Sequence, residues 1–267
     1  SADFRTYEGR HRAAANLLEH GIDHLVVIGG DGSLSGTNEF RGEWAQHVAE
    51  LAAEGVISPE TAAAHPALII VGLVGSIDND LVGTDMTIGA DTALHRILDA
   101  IDQLTSTAAS HQRTFVVEVM GRHCGYLPLM AAVAGGADYV FTPEDPAGPG
   151  WQDDLAEHLR VGREAGRRES IVLVAEGAHD RDGNELSTQL IADTIQERTG
   201  EDARVTILGH VQRGGTPSAY DRWMSTLLGY AAVQEILASS AEDEPVILGV
   251  RRNRITRILL MKAVHDT

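Results

Sequence analysis

HLVVIGGDGS (His24–Ser33) decides the fold of this chain, because it joins a continuous apolar run to a glycine-rich turn. Unbroken runs of Val, Ile and Leu are typical of strands that are covered on both faces. Glycine lets a backbone approach a phosphate closely, and a following helix would point its amide groups at the anion. The stretch therefore predicts a buried strand that ends at a phosphate site, although a tight turn capped by Asp31 is an equally good explanation of the glycines alone.

Similar apolar runs alternate with helix-like stretches along the rest of the chain. The predicted strands are His24–Ile28, Ala67–Val74, Thr114–Val119, Tyr139–Thr142, Ser170–Ala175, Val205–Leu208 and Val246–Val250. The predicted helices are Arg5–His20, Asn38–Glu54, Thr92–Thr105, Gly125–Ala134, Trp151–Ala165, Ser187–Arg198 and Ala219–Ala238. This alternation predicts an α/β fold with parallel sheets and helices on both sides. Because ligands of such sheets bind beyond the carboxyl ends of the strands, we expect the site in the loops that follow them.

Composition limits the classes of partner. The 267 residues are 43% hydrophobic, carry a formal net charge of −18 and include one cysteine, Cys124. This charge repels nucleic acid and anionic membranes, so neither is predicted as a partner, and no apolar run of about 18 residues predicts a spanning helix. A single cysteine excludes an internal disulfide and is consistent with a reducing compartment, so we expect a cytoplasmic protein.

Carboxylates and an arginine follow two of the predicted strands. In Gly75–Asp80 (GSIDND), Asp78 and Asp80 flank an asparagine, and one of them could accept a proton from a substrate hydroxyl. An Asx turn that satisfies its own backbone is the alternative and is somewhat favoured for this stretch alone. After the strand Thr114–Val119, Arg122 could stabilise charge on a transferred phosphoryl group, or could form a surface ion pair.

Further charged residues suit a sugar phosphate. Glu176 could bind sugar hydroxyls, and His210 with Arg213 beside a glycine pair suits a phosphate dianion, although helix caps and surface positions explain each residue alone. Arg113 stands at the opposite end of its strand from Arg122, so it could serve the site of a neighbouring subunit. Because the positive and negative groups of these loops complement each other, one shared site explains them better than a separate structural role for each residue.

Taken together, the motifs resemble one family, the 6-phosphofructokinases. The matching stretches occur in family order and are VVIGGDGS (Val26–Ser33), GSIDND (Gly75–Asp80), GTDMTIGADTALHRI (Gly83–Ile97), SHQRTFVVEVMGRHCGYL (Ser110–Leu127), VAEGA (Val174–Ala178) and RVTILGHVQRGGTPSAYDR (Arg204–Arg222). The detailed sequence of these motifs resembles that of the eukaryotic-type enzymes and closely related bacterial forms.

The resemblance implies two Rossmann-like three-layer domains with mostly parallel sheets and an active site in the cleft between them. Residues 1–89 and 211–253 would form the larger, nucleotide-binding domain, and residues 90–210 and 254–267 the smaller, sugar-phosphate-binding domain. It also implies an allosteric, homotetrameric enzyme of glycolysis, although Thr105 stands where simple bacterial forms carry an effector-site arginine.

The resemblance implies ATP-dependent phosphorylation of fructose 6-phosphate to fructose 1,6-bisphosphate by direct in-line transfer. Asp78 would be the general base with Ser76 and Asp80 beside it, and Arg122 would stabilise the moving phosphoryl group. Asp31 would hold Mg²⁺, while Gly30, Gly32 and Ser33 would contact the phosphates of the co-substrate ATP. The residues that would bind the sugar phosphate are Ser76, Asp78, Met120, Gly121, Arg122, Glu176, His210 and Arg213, with Arg113 and Arg204 supplied to a neighbouring subunit's site.

The phosphoryl donor is predicted from two glycines. Pyrophosphate-using relatives carry a second aspartate in place of Gly32 and a lysine in place of Gly75, and a carboxylate at 32 would repel the α-phosphate of ATP. Family members also begin with a strand and a GGD-type loop that would precede Ser1. The resemblance therefore predicts an N-terminally truncated chain that is unstable or inactive by itself, because exposed sheet edges and apolar surface would remain.

Three alternatives stay open at this stage. A non-catalytic, effector-binding half of a duplicated phosphofructokinase would be expected to lack the base, yet Asp78 is present. A pyrophosphate-dependent homologue is disfavoured by the two glycines. A kinase of the NAD or diacylglycerol type would share only GGDG and would leave GSIDND and GHVQRGG unexplained.

Overall fold

The computed structural model describes residues 2–111 and 113–265, and the chain folds into two compact units. The first unit comprises Ser1–Ser76, Leu81–Ile88 and Arg222–Thr267, and the second comprises Ile77–Asp80 and Gly89–Asp221. The elements, in chain order, are α1 (Tyr7–Glu19), β1 (His24–Gly29), α2 (Asp31–Ala53), α3 (Pro59–Ala64), β2 (Ile69–Ser76), β3 (Ile88–Gly89), α4 (Ala90–His111), β4 (Thr114–Val119), α5 (Tyr126–Gly135), β5 (Tyr139–Phe141), α6 (Trp151–Glu164), β6 (Ser170–Ala175), α7 (Thr188–Thr199), β7 (Ala203–Ile207), α8 (Ala219–Ala238), β8 (Val246–Arg251), β9 (Arg254–Leu259) and α9 (Leu260–His265).

The sheet of the first unit has the strand order β1-β2-β8-β9, and the short β3 pairs with β2. β1, β2 and β8 run parallel, whereas β9 is antiparallel to β8. The turn between β8 and β9 contains Arg252 and Asn253, whose φ angles are 50° and 59°. Positive φ at both central residues is the requirement of a type I′ hairpin turn, so an antiparallel edge strand is added to an otherwise parallel sheet.

The core of the first unit forms where α2 covers the sheet. Leu34, Phe40 and Trp44 of α2 are almost fully buried. They belong to one cluster with Leu18 of α1 and Val74 of β2. This apolar face anchors α2 through its whole length, and its first turn is thereby held at the carboxyl end of β1.

The sheet of the second unit has the order β5-β6-β4-β7, and every pair in it is parallel. Side chains that alternate along a strand point to opposite faces. Val116 of β4 accordingly packs in a cluster with residues of α6 and α7, whereas Phe115 and Val117 pack with residues of α4 and α5. Helices therefore cover both faces of this sheet, and the predicted α/β class with mostly parallel sheets is confirmed.

The observed elements differ from the predicted ones mainly in a few short helices and strands and in where α2 begins. β3, β9, α3 and α9 were not predicted, because they are short or polar. α2 begins at Asp31 and not at Asn38, so Gly32 and Gly36 are helical. A glycine costs about 1 kcal/mol in a helix interior, which burial of the apolar face of α2 offsets.

The division of the chain also differs from the predicted one. Ile77–Asp80, Gly89 and residues 211–221 belong to the second unit, and β9 with α9 belongs to the first. The reason for the latter is the hydrogen-bond ladder that joins β9 to β8 from Val246↔Leu259 to Arg251↔Arg254. Among the helices that the structure describes, none has the length and the apolar character needed to cross a bilayer.

Candidate active site

The glycine-rich stretch forms the junction of β1 and α2 in the first unit. Gly30 is the N-cap of α2, and Asp31, Gly32 and Ser33 lie exposed on its first turn. A Cβ added at Gly32 would find no atom within 4 Å, so the fold itself leaves space at this position. The amide groups and partial positive charge of a helix N-terminus favour an anion there. The predicted strand, turn and helix around this stretch are thus present.

Gly75 and Ser76 lie next to this junction, because β1 and β2 are parallel neighbours with Gly29 paired to Val74. A Cβ at Gly75 would lie 3.1 Å from the backbone nitrogen of Gly29, and one at Gly30 would lie 3.7 Å from Cβ of Ser76. The glycine at 75 therefore has a packing reason of its own, independent of the phosphoryl donor.

Asp78 is a buried carboxyl group of the second unit, with 7% of its surface exposed. Burial and then the neighbouring Asp80 raise the pKa of Asp78, while Arg122 and Arg213 act in the opposite direction. Asn79, between the two carboxylates, has a φ of 57°. The structure thus brings together, within one unit, the predicted base and two predicted cations from separate loops.

The loop after β4 holds Arg122 in an unusual backbone conformation. Arg122 has a φ of 52° and Gly121 a φ of 153°. The amide of Arg122 donates to Oε2 of Glu176 at 3.2 Å, and the amide of Cys124 donates to the carbonyl of Gly121 at 2.8 Å. A Cβ at Gly121 would overlap the carbonyl oxygen of Cys124, so only glycine fits this turn. Arg122 and Glu176 are therefore neighbours, as the shared site requires.

Gln212 is a residue of this region to which the sequence assigned no role. It is 1% exposed, its Oε1 accepts the amide of Met120 at 3.3 Å, and its Nε2 donates to the carbonyl of Gly209 at 3.0 Å. Gln212 thus ties the loop after β4 to the 3-10 helix Gly209–Arg213, whose His210 and Arg213 are exposed. The sequence feature that could have indicated this role of Gln212 is its position inside the motif GHVQRGG.

Arg113 and Arg204 meet at one carboxylate. Nε of Arg113 lies 2.7 Å and Nη2 of Arg204 lies 3.0 Å from Oδ2 of Asp202. The two arginines come from adjacent strands, since Phe115 of β4 pairs with Arg204 of β7. Arg113 precedes β4 and Arg122 follows it, and a six-residue strand separates its ends by about 16 Å. The structure brings Arg113 and Arg204 to each other and keeps Arg113 away from Arg122. Gln112, within the same motif, lies outside the described residues.

The comparison with known families decides the identity. The phosphofructokinase family model matches residues 1–236 of the chain. This chain belongs to the phosphofructokinase family. The liver-type ATP-dependent 6-phosphofructokinase of Homo sapiens is 53% identical over 264 residues, which are 99% of this chain and 34% of that protein. The muscle-type enzyme of Equus caballus is 51% identical over 265 residues, again 99% of this chain and 34% of the relative.

Solved phosphofructokinase structures agree with the fold. The phosphofructokinase from Saccharomyces cerevisiae superposes with a TM-score of 0.96 at 51% identity, over 99% of this chain and 36% of that one. A pyrophosphate-dependent phosphofructokinase from Marinobacter aquaeolei has a TM-score of 0.74 at 19% identity, over 97% of this chain and 64% of that one, and shows the fold alone. The chain thus spans about a third of the length of the curated phosphofructokinases that it matches.

Proposed function

We propose that this phosphofructokinase chain transfers the γ-phosphoryl group of ATP to the 1-hydroxyl of fructose 6-phosphate. The observation that carries the proposal is the buried Asp78, which is surrounded by Asp80, Arg122 and Arg213 in a chain that is 53% identical to an ATP-dependent relative. In-line phosphoryl transfer needs a base for the hydroxyl and positive charge for the moving group, and little else from the protein.

ATP is the proposed donor because of the relatives and the space at Gly32. The named ATP-dependent relatives are 50–53% identical, whereas the pyrophosphate-dependent structure is 19% identical. The open volume at Gly32 would accept a nucleotide, and an aspartate there would repel its phosphates. By this proposal, Gly30, Gly32 and Ser33 contact the phosphates of ATP.

Mg²⁺ is the proposed cofactor, and the first turn of α2 fits it. Asp31 is exposed on that turn, and its Oδ1 accepts from the hydroxyl of Ser35 at 3.2 Å, which leaves carboxylate oxygen for a hard cation. Asp31 would hold the ion, which would neutralise charge on the phosphates.

Asp78 would take the proton of the 1-hydroxyl, with Ser76 and Asp80 beside it. A pKa raised by burial improves a carboxylate as a base, since basic strength rises with pKa. Arg122 would stabilise the developing charge on the phosphoryl oxygens. The residues proposed to hold fructose 6-phosphate with them are Met120, Gly121, Glu176, His210 and Arg213.

We propose further that Arg113 and Arg204 bind the 6-phosphate in a neighbouring subunit of a homotetramer. Both guanidinium groups already share Asp202, so they form one cationic patch that a phosphate dianion could enter. Because Arg113 and Arg122 lie at opposite ends of β4, we propose that Arg113 contributes to the site of another subunit. The predicted nucleotide-binding and sugar-phosphate-binding roles of the two units, allosteric control and a cytoplasmic location belong to the same proposal.

The proposal is tested by a coupled assay of the native protein that contains this sequence, with ATP and then pyrophosphate as donor for fructose 6-phosphate. We expect turnover with ATP, and a loss of about 10²–10⁴-fold in kcat with little change in KM for Asp78→Ser, because only the base is removed. The matched control is Asp193→Ser, which changes an exposed aspartate on α7 and should keep full turnover. Normal turnover by Asp78→Ser would refute the assignment of the base.

A further inference from the structure

A cluster of metal-ligating side chains lies outside the proposed site, on two helices of the first unit. His11 of α1 and His47 and Glu50 of α2 each offer one ligand atom, and the three atoms lie within 4.8 Å of one another. Nδ1 of His11 is 3.1 Å from Nδ1 of His47 and 3.6 Å from Oε2 of Glu50. His47 is fully buried, and 18% of the His11 side chain is exposed.

These separations suit a tetrahedral ion. A zinc ion with bonds of about 2.0–2.1 Å places its ligand atoms about 3.3–3.4 Å apart, by the geometry of a tetrahedron. The two measured separations, 3.1 and 3.6 Å, lie on either side of that value. All three ligand atoms lie within 4.8 Å of one another, so side-chain shifts of about 1 Å would close the site.

The outer nitrogens of both imidazoles face carboxylates, as the histidine ligands of metal sites commonly do. Nε2 of His47 is 3.3 Å from Oε2 of Glu43, and Nε2 of His11 is 3.7 Å from Oε2 of Glu54. Glu43 is held in turn by Arg10, which is 4% exposed and donates to it at 2.6 and 2.9 Å. Neither contact is a hydrogen bond, since Nε2 of His47 has no hydrogen-bond partner among the described residues and 3.7 Å is too long, so the carboxylates place negative charge beside the rings without fixing a tautomer.

Nδ1 of His11 and Nδ1 of His47 face each other across 3.1 Å in the packed contact of α1 with α2. Either one ring donates its Nδ1 hydrogen to the other ring, or, with the hydrogens on Nε2, both Nδ1 lone pairs are available to one cation. Metal binding would therefore replace one hydrogen bond between the rings by two bonds to the ion.

Glu50 is positioned by its own hydrogen bonds. The hydroxyl of Tyr7 donates to Oε2 of Glu50 at 2.8 Å, and Nε2 of Gln46 donates to Oε1 at 2.9 Å. The ring of Tyr7 also packs against His47, with centroids 4.6 Å apart. Tyr7 and Gln46 thus hold the carboxylate of Glu50 close to the two histidines.

We propose that His11, His47 and Glu50 bind one divalent transition-metal ion, and that Zn²⁺ is the ion the site fits best. Two imidazoles and one carboxylate suit Zn²⁺ and disfavour Mg²⁺, which prefers oxygen ligands in an octahedron. The bound ion joins α1 to α2 and stabilises the first unit. This site is separate from the proposed reaction and stands independently of it.

The test is isothermal titration of the native protein that contains this sequence with Zn²⁺ alone, after treatment with a chelator. We expect about one Zn²⁺ per chain, a higher Tm with Zn²⁺ and none of these effects with Mg²⁺. Co²⁺ in place of Zn²⁺ should give the visible absorption of a tetrahedral ion.

The informative variant is His11→Gln, since His11 is partly exposed and its replacement spares the buried His47. It should bind Zn²⁺ at least tenfold more weakly and lose the rise in Tm, and Glu50→Gln should act in the same direction. The matched control is His20→Gln, which changes an exposed histidine at the end of α1 and should bind Zn²⁺ like the unmodified chain. Equal affinity of His11→Gln and the unmodified chain, or no uptake of Zn²⁺ by the unmodified chain, would overturn the proposal.

Discussion

Replacing Gly177 by alanine tests whether the loop of Arg122 must keep its place for phosphoryl transfer. A Cβ at 177 would overlap the carbonyl oxygen of Arg122, and would lie 3.2 Å from its carbonyl carbon and 3.5 Å from Cα of His123. These atoms are backbone and cannot rotate aside. The loop would have to move by about 1 Å to restore ordinary van der Waals separation.

The expected loss of turnover follows from that displacement of the loop. A shift of about 1 Å in a catalytic group can lower turnover about 100-fold, so we expect a loss of this order in kcat. The affinity for ATP should change less, since Gly30–Ser33 belongs to the other unit. Overpacking should also lower the free energy of unfolding by about 1–3 kcal/mol.

Steady-state kinetics and urea denaturation of the native protein that contains this sequence measure both effects. The matched control is Gly229→Ala in α8, where an added Cβ meets no atom within 4 Å. This control should keep its kcat and gain up to about 1 kcal/mol, because alanine is the better helix former. If Gly177→Ala kept both its kcat and its stability, the loop would be free to yield and the reasoning would be refuted.

Two further predictions concern the second unit. Because the proposed base, Asp78, must be deprotonated to accept a proton, we expect the acid limb of kcat/KM to follow its raised pKa. Asp80→Asn removes a like charge, lowers that pKa and should move the limb to lower pH, and an unmoved limb in a pH–rate profile would contradict the assignment. Leu155→Ala in the fully buried face of α6 should cost about 2–5 kcal/mol in urea denaturation, whereas the exposed Leu190→Ala should cost under about 1 kcal/mol. Equal losses for the two leucines would show that α6 is not tightly packed.

The long, apolar elements could be predicted well from the sequence. The predicted bounds of β4, β6 and α8 agree with the structure, because continuous Val- and Ile-rich runs and helical periodicity carry a strong local signal. β9 could not be predicted, since the stretch RITRIL has exposed polar residues and its turn, Arg252–Asn253, lacks the usual glycine. Its strand conformation comes from pairing with β8.

The candidate site also combines residues that the sequence indicates with contacts that only the structure shows. Local motifs made Asp78 and Arg122 candidates, because each follows a predicted strand, and the family resemblance then gave them their predicted roles. They could not indicate that Gln212 ties two loops together or that Asp202 lies against Arg113. Those contacts join residues that are far apart in the chain, and the sequence carries no local signal for them.

The amino-acid sequence by itself determined the alternation of strands and helices, the glycine-rich turn after β1 and the family, since these depend on patterns within short segments. Only the tertiary structure decided which strand neighbours which, and how the loop of Arg122 rests on Gly177. It alone brought His11 to His47, which lie 36 residues apart. The physical reason is that packing and hydrogen bonding between distant segments depend on where the whole chain places them.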